Sequence, residues 1–264
     1  MAPSLLAGKV VLVTGGGAGI GRATSQSLAA HGASVAVCDI DEAAAQSTLE
    51  QLTAGEHRLY RGDMALSVDV DRVIGEVIGD AGSLDGVHNN VGVANVPAEI
   101  EAITEAEWDR VVGINLRGAW LVMRRALIQM QTQKAGAIVN TASIAGTHGF
   151  RQLAPYCVSK AGVIALTKVA AIENAEHGIR VNAVAPGMVN TGIGVGDLDT
   201  PPDSGPEPSR RYGAPQEVAE AVCWLLSEHA SYVNGVSLAV DGGWSATAAP
   251  RRSRNARSGD GGNG

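Results

Sequence analysis

The feature that most constrains the fold is a glycine-rich loop between a short apolar run and a helix-like stretch. The apolar run covers residues 10–13, the loop reads TGGGAGIG over residues 14–21, and residues 22–30 have helical character. Strand, glycine turn and helix in this order offer backbone N–H groups and the positive end of a helix to a pyrophosphate. No register satisfies G-x-G-x-x-G, but T-G-x-x-x-G-x-G is matched by Gly15, Gly19 and Gly21, with Ile20 between the last two. The loop predicts a dinucleotide-binding turn, with a purely structural turn as the alternative.

Six further runs with strand-like composition follow along the chain. They cover residues 34–38, 58–61, 87–89, 137–141, 180–185 and 237–240, and helix-like stretches separate most of them. Runs such as SVAV and AIVN are almost entirely apolar, as expected for parallel strands covered by helices on both faces of a sheet. The pattern predicts an α/β fold with a doubly wound parallel sheet.

Composition favours one packed domain with an irregular loop and an irregular end. The chain has 264 residues, of which 45% are hydrophobic and 18% charged, and we expect a single domain over residues 1–249. Residues 192–210 are dense in Gly, Pro and Asp and predict a long irregular loop. Residues 250–264 carry four arginines among Gly, Ser and Asn, with too little apolar surface to fold, and predict a disordered tail.

Charge and cysteine content argue against several classes of partner. The net charge of −7 offers no broad basic field, so we expect no nucleic-acid partner. Cys38, Cys157 and Cys223 lack a C-x-x-C pair and the histidines lack metal-ligand spacing, so we expect buried, inert thiols and no metal site. The first residues lack a charged leader, and no run approaches the roughly 20 apolar residues of a membrane helix. We therefore expect a cytoplasmic protein with no membrane partner.

An acidic residue closes the second predicted strand. Asp39 lies eighteen residues beyond Gly21, where a carboxylate can accept hydrogen bonds from both hydroxyls of an adenosine ribose. The same charge would repel a 2′-phosphate, and no Arg or Lys follows directly. The position favours NAD over NADP, and the alternative is that Asp39 caps the next helix.

A tyrosine and a lysine occur four residues apart in the sequence Tyr-Cys-Val-Ser-Lys. Tyr156 and Lys160 begin a helix-like run and therefore share one face of it. An adjacent ammonium favours the phenolate of a tyrosine, which is otherwise a poor base near neutrality. Ser143 follows the fifth predicted strand, at the carboxyl end where parallel sheets bind ligands.

Together these features resemble the short-chain dehydrogenase/reductase family over residues 8–243. The resemblance implies a Rossmann-type, doubly wound seven-stranded parallel sheet with helices on both faces. It also implies NAD-dependent interconversion of a secondary alcohol and its ketone. Tyr156 would exchange a proton with the substrate oxygen and Ser143 would orient that oxygen. Lys160 would lower the pKa of Tyr156 and hold the nicotinamide ribose, and Asn115, placed mid-helix, would support a water relay.

The resemblance extends to further positions that would contact the cofactor. These are Asp63 and Met64 at the adenine, Asn90 and Gly92 after the fourth strand, Pro186 and Gly187 after the sixth, and Val189 and Thr191 at the nicotinamide carboxamide. Val91 stands where the family usually has alanine, which changes the bulk of the pocket but removes no functional group. Arg151, between Ser143 and Tyr156, is a candidate to bind an anionic group of the substrate.

Two alternatives to this function stay open. An NADPH-dependent 3-oxoacyl reductase would use a basic residue near the glycine loop, and Arg22 follows that loop. A non-catalytic regulatory or scaffold protein could keep the fold and the cofactor, although the complete set of Asn115, Ser143, Tyr156 and Lys160 argues against it. Relatives are usually homotetramers, which implies a homotetramer here. The sequence does not identify the alcohol or ketone.

Overall fold

The computed structural model describes residues 4–191 and 208–247. Within them, seven strands form one sheet in the order β3-β2-β1-β4-β5-β6-β7, and every neighbouring pair is parallel. The strands are β1 Val10–Thr14, β2 Ser34–Asp39, β3 Arg58–Arg61, β4 Gly86–Asn89, β5 Gly136–Thr141, β6 Ile179–Pro186 and β7 Ser237–Val240. All seven predicted strands are confirmed, with ends that differ by no more than one residue. Most of the predicted loop, residues 192–207, and the predicted tail, residues 250–264, lie outside the described residues.

Helices connect the strands and pack on both faces of the sheet. They are α1 Gly19–Ala30, α2 Glu42–Leu49, α3 Ser67–Ala81, α4 Glu105–Val112, α5 Gly118–Gln133, α6 Ala154–Asn174 and α7 Pro215–Leu226. A π-helical turn, Gly113–Arg117, joins α4 to α5 without a break. Local signals fix several helix starts, because Asp41 caps α2, Thr104 caps α4 and prolines occupy the first turns of α6 and α7.

The core consists of two apolar layers separated by the sheet. Successive strand residues point to opposite faces, so Leu12 joins the layer beneath α3, α5 and α6, whereas Val11 and Val13 join the layer beneath α1 and α7. Both layers are built mainly from buried aliphatic side chains, which explains why the inner strands are buried on both faces, whereas the edge strands β3 and β7 keep exposed residues. The predicted doubly wound sheet is confirmed.

The sequence predicted no apolar run long enough for a membrane helix, and by length and composition that prediction is wrong. Ala154–His177, which is α6 and the turn after it, is long and apolar enough to cross a membrane. In the fold this helix lies against β6, and its polar residues Ser159, Lys160 and Thr167 are buried. Its apolar character therefore has a packing explanation within the fold.

The thiols were expected to be buried, and the structure corrects one of them. Cys38 and Cys223 are buried and free, and burial raises the pKa of each thiol, to about 12 for Cys38. Cys157 is only partly buried, because it follows Tyr156 at the start of α6.

The strand order reverses beside β1, which has β2 on one side and β4 on the other. The helices that follow these strands leave toward opposite faces, which opens a crevice at the carboxyl ends of β1 and β4. Open α/β sheets bind ligands at such a switch point.

Candidate active site

The glycine loop lies at this crevice and leads directly into α1. Gly15 takes a φ of +64°, which other residues rarely adopt, and a Cβ on Gly21 would lie 1.9 Å from the Gly15 carbonyl oxygen. The first turn of α1 has no acidic residue and its N-cap residue Ala18 makes no side-chain cap. Backbone N–H groups at this helix end therefore stay available to a phosphate.

The remaining loop positions fit a bound dinucleotide as well. Ile20 is partly buried and packs its side chain against the core layer beneath α1 and α7. Gly19 lies against Thr191, since a Cβ on Gly19 would be 3.1 Å from the Thr191 Cβ. Two segments far apart in sequence thus meet at the start of α1. Side chains added at the loop glycines would fill the space that the loop leaves for a dinucleotide.

Asp39 extends from the end of β2 to the edge of the loop. Its Oδ2 accepts a hydrogen bond from Gly17 N at 2.9 Å, and its Oδ1 accepts one from Asp41 N at 3.0 Å. The helix cap is made by Asp41, whose Oδ1 accepts from Ala44 N, so the capping interpretation of Asp39 is wrong. The carboxylate is only partly buried and keeps further lone pairs for a ribose.

The basic residue behind the NADPH alternative, Arg22, is already engaged by protein groups. Its Nη2 donates to the Gly17 carbonyl and its Nε donates to Thr48 Oγ1 at 3.1 Å. The guanidinium therefore ties the loop to α2.

The third strand supplies the predicted adenine-side pair. Asp63 Oδ1 accepts from Ala65 N at 2.9 Å, so this carboxylate organises the turn that leads into α3. Met64 is 3% exposed and belongs to the core layer beneath α3, α5 and α6. The Met64 side chain is thus a packing residue.

Four predicted residues meet at the carboxyl ends of β4 and β5, and we call Asn115, Ser143, Tyr156 and Lys160 the Tyr156 cluster. The Ser143 side chain lies close enough to the Tyr156 hydroxyl to act on the pKa of the phenol, and its Oγ accepts a hydrogen bond from Ala145 N at 3.1 Å. Lys160 Nζ donates to the Thr141 carbonyl at 2.7 Å, at the end of β5. A Cβ on Gly92 would lie 3.0 Å from Lys160 Nζ and 3.5 Å from Asn115 Oδ1, so the loop after β4 brings Lys160 and Asn115 together.

Asn115 occupies the π-helical turn between α4 and α5, which the sequence did not predict. Its Oδ1 accepts from Val93 N at 2.7 Å, and its Nδ2 donates to the Val93 carbonyl at 2.9 Å and to Ser159 Oγ at 3.1 Å. The side chain is 1% exposed. Such turns recur at functional sites, because the extra residue re-aims a side chain out of the helical register.

The pKa values in the cluster follow from burial. Lys160 is enclosed on all sides, and the loss of solvation lowers its pKa to about 8. Burial also raises the pKa of Tyr156, and the neighbouring Ser143 side chain offsets this only in part. Burial thus dominates the pKa of Tyr156, and the lowering of this pKa by Lys160, whose Nζ lies 5.8 Å from the centre of the Tyr156 ring, stays a prediction.

The remaining predicted contacts line the opposite wall of the crevice. Pro186 ends β6, and a Cβ on Gly187 would lie 2.9 Å from Asp241, so this turn packs tightly on the chain after β7. Val189 pairs with Gly213 in an isolated bridge. Asn90 Nδ2 donates to the Gly15 carbonyl at 3.3 Å, directly under the glycine loop.

The structure gives the candidate anion-binding residue Arg151 another partner. Its guanidinium is 82% exposed and pairs with Glu99, with Arg151 Nε 2.9 Å from Glu99 Oε1. An ion pair at this exposure leaves little reason for a substrate anion to be held there.

An aromatic group joins His148 and Phe150, which the sequence placed in a segment expected around the substrate mouth, to Trp244, which sequence reasoning missed. Phe150 stacks on Trp244 with ring centres 5.2 Å apart, and His148 meets the same indole edge-on at 4.7 Å. His148 and Phe150 lie between Ser143 and Tyr156, whereas Trp244 follows β7. The chain has one phenylalanine in total, and its position beside the Tyr156 cluster was the available signal.

Comparison with known proteins gives agreement over nearly the whole chain. A family model described as enoyl-(acyl carrier protein) reductase matches residues 15–245. A 2,5-dichloro-2,5-cyclohexadiene-1,4-diol dehydrogenase of Sphingobium indicum is 38% identical over 249 residues, covering 91% of this chain and 98% of the relative. A cis-4-hydroxycyclohexanecarboxylate dehydrogenase of Sinomonas cyclohexanicum is 39% identical over 244 residues, covering 90% and 97%.

The fold agrees equally well with a solved structure. The crystal structure of a levodione reductase superposes with a TM-score of 0.85 at 37% identity, covering 92% of this chain and 99% of that one. The motifs, the parallel sheet and these matches all agree, and the chain therefore belongs to the short-chain dehydrogenase/reductase family of oxidoreductases.

Proposed function

We propose that the protein is an NAD-dependent oxidoreductase that interconverts a secondary alcohol and its ketone, with Tyr156 as general acid and base. The observation that carries the proposal is the meeting of Lys160 and Asn115 at Gly92, in the crevice that begins at the glycine loop. Four side chains from three segments converge there, beside a turn whose backbone is suited to a pyrophosphate.

Each member of the Tyr156 cluster has a distinct task in this reaction. Tyr156 donates a proton to the carbonyl oxygen in reduction and removes it from the hydroxyl in oxidation. Ser143, which lies beside Tyr156, holds the same oxygen and stabilises the charge that develops on it. A bound nicotinamide supplies or accepts the hydride.

Lys160 and Asn115 support the proton transfer. The buried ammonium, held by the Thr141 carbonyl, keeps positive charge beside Tyr156 and is available to a ribose hydroxyl. Asn115 fixes the backbone of Val93 and lies next to Lys160 across Gly92, at the position from which a water relay would leave.

The proposed cofactor is NAD, because Asp39 places a negative charge where the 2′-phosphate of NADP would lie. Two backbone N–H groups, of Gly17 and Asp41, hold this carboxylate in place. Arg22 uses its Nε and Nη2 donors on Thr48 and Gly17, so these N–H groups are engaged by the protein rather than offered to a 2′-phosphate.

The proposed substrates are alicyclic six-membered rings that carry a hydroxyl or keto group. Two relatives are named for cyclohexane or cyclohexadiene derivatives. His148, Phe150 and Trp244 pack together as an aromatic group in the segments that follow Ser143 and β7, and largely apolar rings of this kind are suited to contact a cyclic substrate.

We further propose a cytoplasmic homotetramer. Within the described residues, large apolar side chains remain exposed on α4, α5 and α6, which otherwise pack into the core. They include Trp108, Trp120, Ile128, Val169 and Ile172, the last of which is 79% exposed. Exposed apolar surface of this kind is typical of a subunit interface, and light scattering on the purified protein would measure the mass.

The deciding experiment is a turnover assay with NAD and NADP against cyclohexanols, cyclohexanediols and their ketones, with acyclic, steroid and hydroxyacyl alcohols as comparison. We expect NAD-linked turnover of the cyclic alcohols, and a loss of about 10²–10⁴-fold in Tyr156→Phe with cofactor binding retained. A preference for NADPH and 3-oxoacyl substrates would replace the proposal with the reductase alternative. Cofactor binding without turnover of any substrate would favour a regulatory protein.

A further inference from the structure

A buried histidine outside the Tyr156 cluster is connected to the glycine loop by a chain of hydrogen bonds. His88 lies in β4 with 0% exposure, and its Nε2 is 2.9 Å from Thr141 Oγ1 in the neighbouring strand β5. Thr141 Oγ1 lies 3.1 Å from Asn90 Oδ1, and Asn90 Nδ2 lies 3.3 Å from the Gly15 carbonyl oxygen. The chain thus runs from inside the sheet to the first glycine of the loop.

The direction of every bond in this chain is fixed from the loop end. The Gly15 carbonyl can only accept, so the Asn90 amide points its NH₂ group at the loop and its Oδ1 at Thr141. Oδ1 can only accept, so Thr141 donates its single hydroxyl proton to Asn90. Thr141 Oγ1 must then accept from His88, which makes His88 the Nε2–H tautomer.

The other side of the imidazole agrees with this assignment. His88 Nδ1 has no donor or acceptor partner among the described residues, as suits a bare lone pair facing apolar groups. Burial lowers the pKa of His88 to about 3, so the ring is neutral near neutrality and Nδ1 carries no proton.

The far end of the chain supports the floor of the cofactor cradle. A Cβ on Gly15 would lie 3.2 Å from Asn90 Nδ2, and a Cβ on Gly21 would lie 2.8 Å from it, so the amide packs directly beneath both glycines. The backbone N–H of Asn90 also donates to Thr14 Oγ1 at 3.0 Å. A rotation of this amide would remove the donor from the Gly15 carbonyl and change the shape of the loop.

Thr141 also faces the Tyr156 cluster with its backbone. Its carbonyl accepts the hydrogen bond from Lys160 Nζ while its hydroxyl serves Asn90 and His88. One residue therefore supports the two halves of the site, and its side chain is held in one rotamer by the histidine.

We propose that His88 is a positioning residue that acts through Thr141 to hold the Asn90 amide beneath the glycine loop and thereby strengthens dinucleotide binding. The proposal rests on the proposed use of a dinucleotide. Among the described residues, the His88 side chain bonds only Thr141 and contacts neither the reacting atoms nor the glycine loop. At that loop only the His88 backbone carbonyl takes part, accepting from Thr14 Oγ1 at 3.5 Å. The effect of the side chain therefore appears in affinity rather than in the chemical step.

The test compares two pairs of variants by direct titration of NAD and NADP, using the quenching of intrinsic tryptophan fluorescence. His88→Leu and Thr141→Val break the chain, whereas His88→Gln keeps an N–H donor and Thr141→Ser keeps the hydroxyl. We expect Kd for NAD to rise about three- to tenfold in the first pair and to stay within about twofold of wild type in the second. The double variant His88→Leu/Thr141→Val should bind no more than about twofold more weakly than the weaker single variant, because both changes break one chain.

Thermal unfolding and kcat at saturating NAD separate positioning from folding. We expect kcat to change by less than about twofold in His88→Leu, with the loss confined to KM for NAD. If His88→Leu and Thr141→Val bind NAD as tightly as His88→Gln and Thr141→Ser while melting earlier, His88 only packs the core and the proposal is overturned. A wild-type protein that binds neither dinucleotide would overturn this proposal and the proposed function together. If all four single variants bind NAD with the wild-type Kd, the positioning role of His88 is overturned and the proposed function is not.

Discussion

The glycine loop and the Tyr156 cluster lie at the same end of the sheet, but the chain builds them in opposite ways. The loop uses eight consecutive residues, 14–21, and offers backbone N–H groups that exist in any sequence able to make the turn. The cluster uses side chains from a π-helical turn, the end of β5 and α6, and each of them is held by packing and hydrogen bonds.

This difference shows which kinds of change each part tolerates. The loop needs glycines that carry no side chain, so adding a methyl group at one of them should disrupt cofactor binding. The cluster depends on buried polar groups with specific partners, so it fails when a partner is removed. The two parts should therefore respond to different substitutions and in different measurements.

The largest expected effect is on the loop. Gly21→Ala places a Cβ 1.9 Å from the Gly15 carbonyl oxygen, which must displace the turn. We expect NAD affinity to fall at least about a hundredfold, measured by titration. The matched control is Gly75→Ala on the exposed face of α3, where the added Cβ meets nothing within 4 Å. It should raise the free energy of unfolding by about 0.5–1 kcal/mol and leave Kd unchanged. Equal affinities in the two variants would contradict a backbone-built site.

The next effect tests the cluster through its most enclosed amide. Asn115→Ala leaves the backbone N–H and carbonyl of Val93 without their partner, which should lower the free energy of unfolding by about 1–3 kcal/mol. Turnover should fall as well, because the loop after β4 that adjoins Lys160 loses its anchor. Asn174→Ala removes another buried amide at the far end of α6 and should destabilise the fold without loss of kcat. Full activity of Asn115→Ala would show that Asn115 has no role in the reaction.

A smaller effect is expected for cofactor choice. Asp39→Asn removes the negative charge and keeps one oxygen acceptor for the loop, so the preference for NAD over NADP should fall about tenfold in kcat/KM. Asp41→Asn changes a carboxylate two residues away that caps α2, and it should alter the preference by less than about twofold. If wild type prefers NADP, the assignment of Asp39 fails at once.

The smallest effect concerns the pH dependence of ketone reduction. Burial raises the pKa of Tyr156 above its usual value near 10, so the phenol stays protonated and ready to donate at neutral pH. We expect kcat/KM for reduction to change by less than about twofold between about pH 6 and about pH 7. Alcohol oxidation needs the deprotonated group and should rise with pH over the same range. A reduction rate that falls steeply there would place the pKa of Tyr156 below its ordinary value.

The elements that the sequence predicted best are those with local signals. All seven strands have strand-like composition in the sequence, in some cases as apolar runs such as VVLV in β1 and SVAV in β2, and the positions of Tyr156 and Lys160 on one helical face follow from their spacing. The π-helical turn at Asn115 was missed because an extra residue within a helix leaves no periodic signature. The alternative that Asp39 caps α2 failed because Asp41, two residues later, makes that cap, and spacing alone does not separate two acidic residues so close to one helix start.

The sequence by itself determined the order of strands and helices, the glycine turn and the identity of the polar residues, because propensity, apolar pattern and spacing act over a few neighbouring residues. Only the tertiary structure decided which groups touch and how burial changes their pKa values. In the folded protein Arg151 pairs with Glu99, and the buried Lys160 ammonium donates a hydrogen bond to the Thr141 carbonyl. Hydrogen bonds also connect His88 to the glycine loop through Thr141 and Asn90. Desolvation and hydrogen-bond direction depend on every element packed around a group, and that environment is not contained in the residue's own stretch of chain.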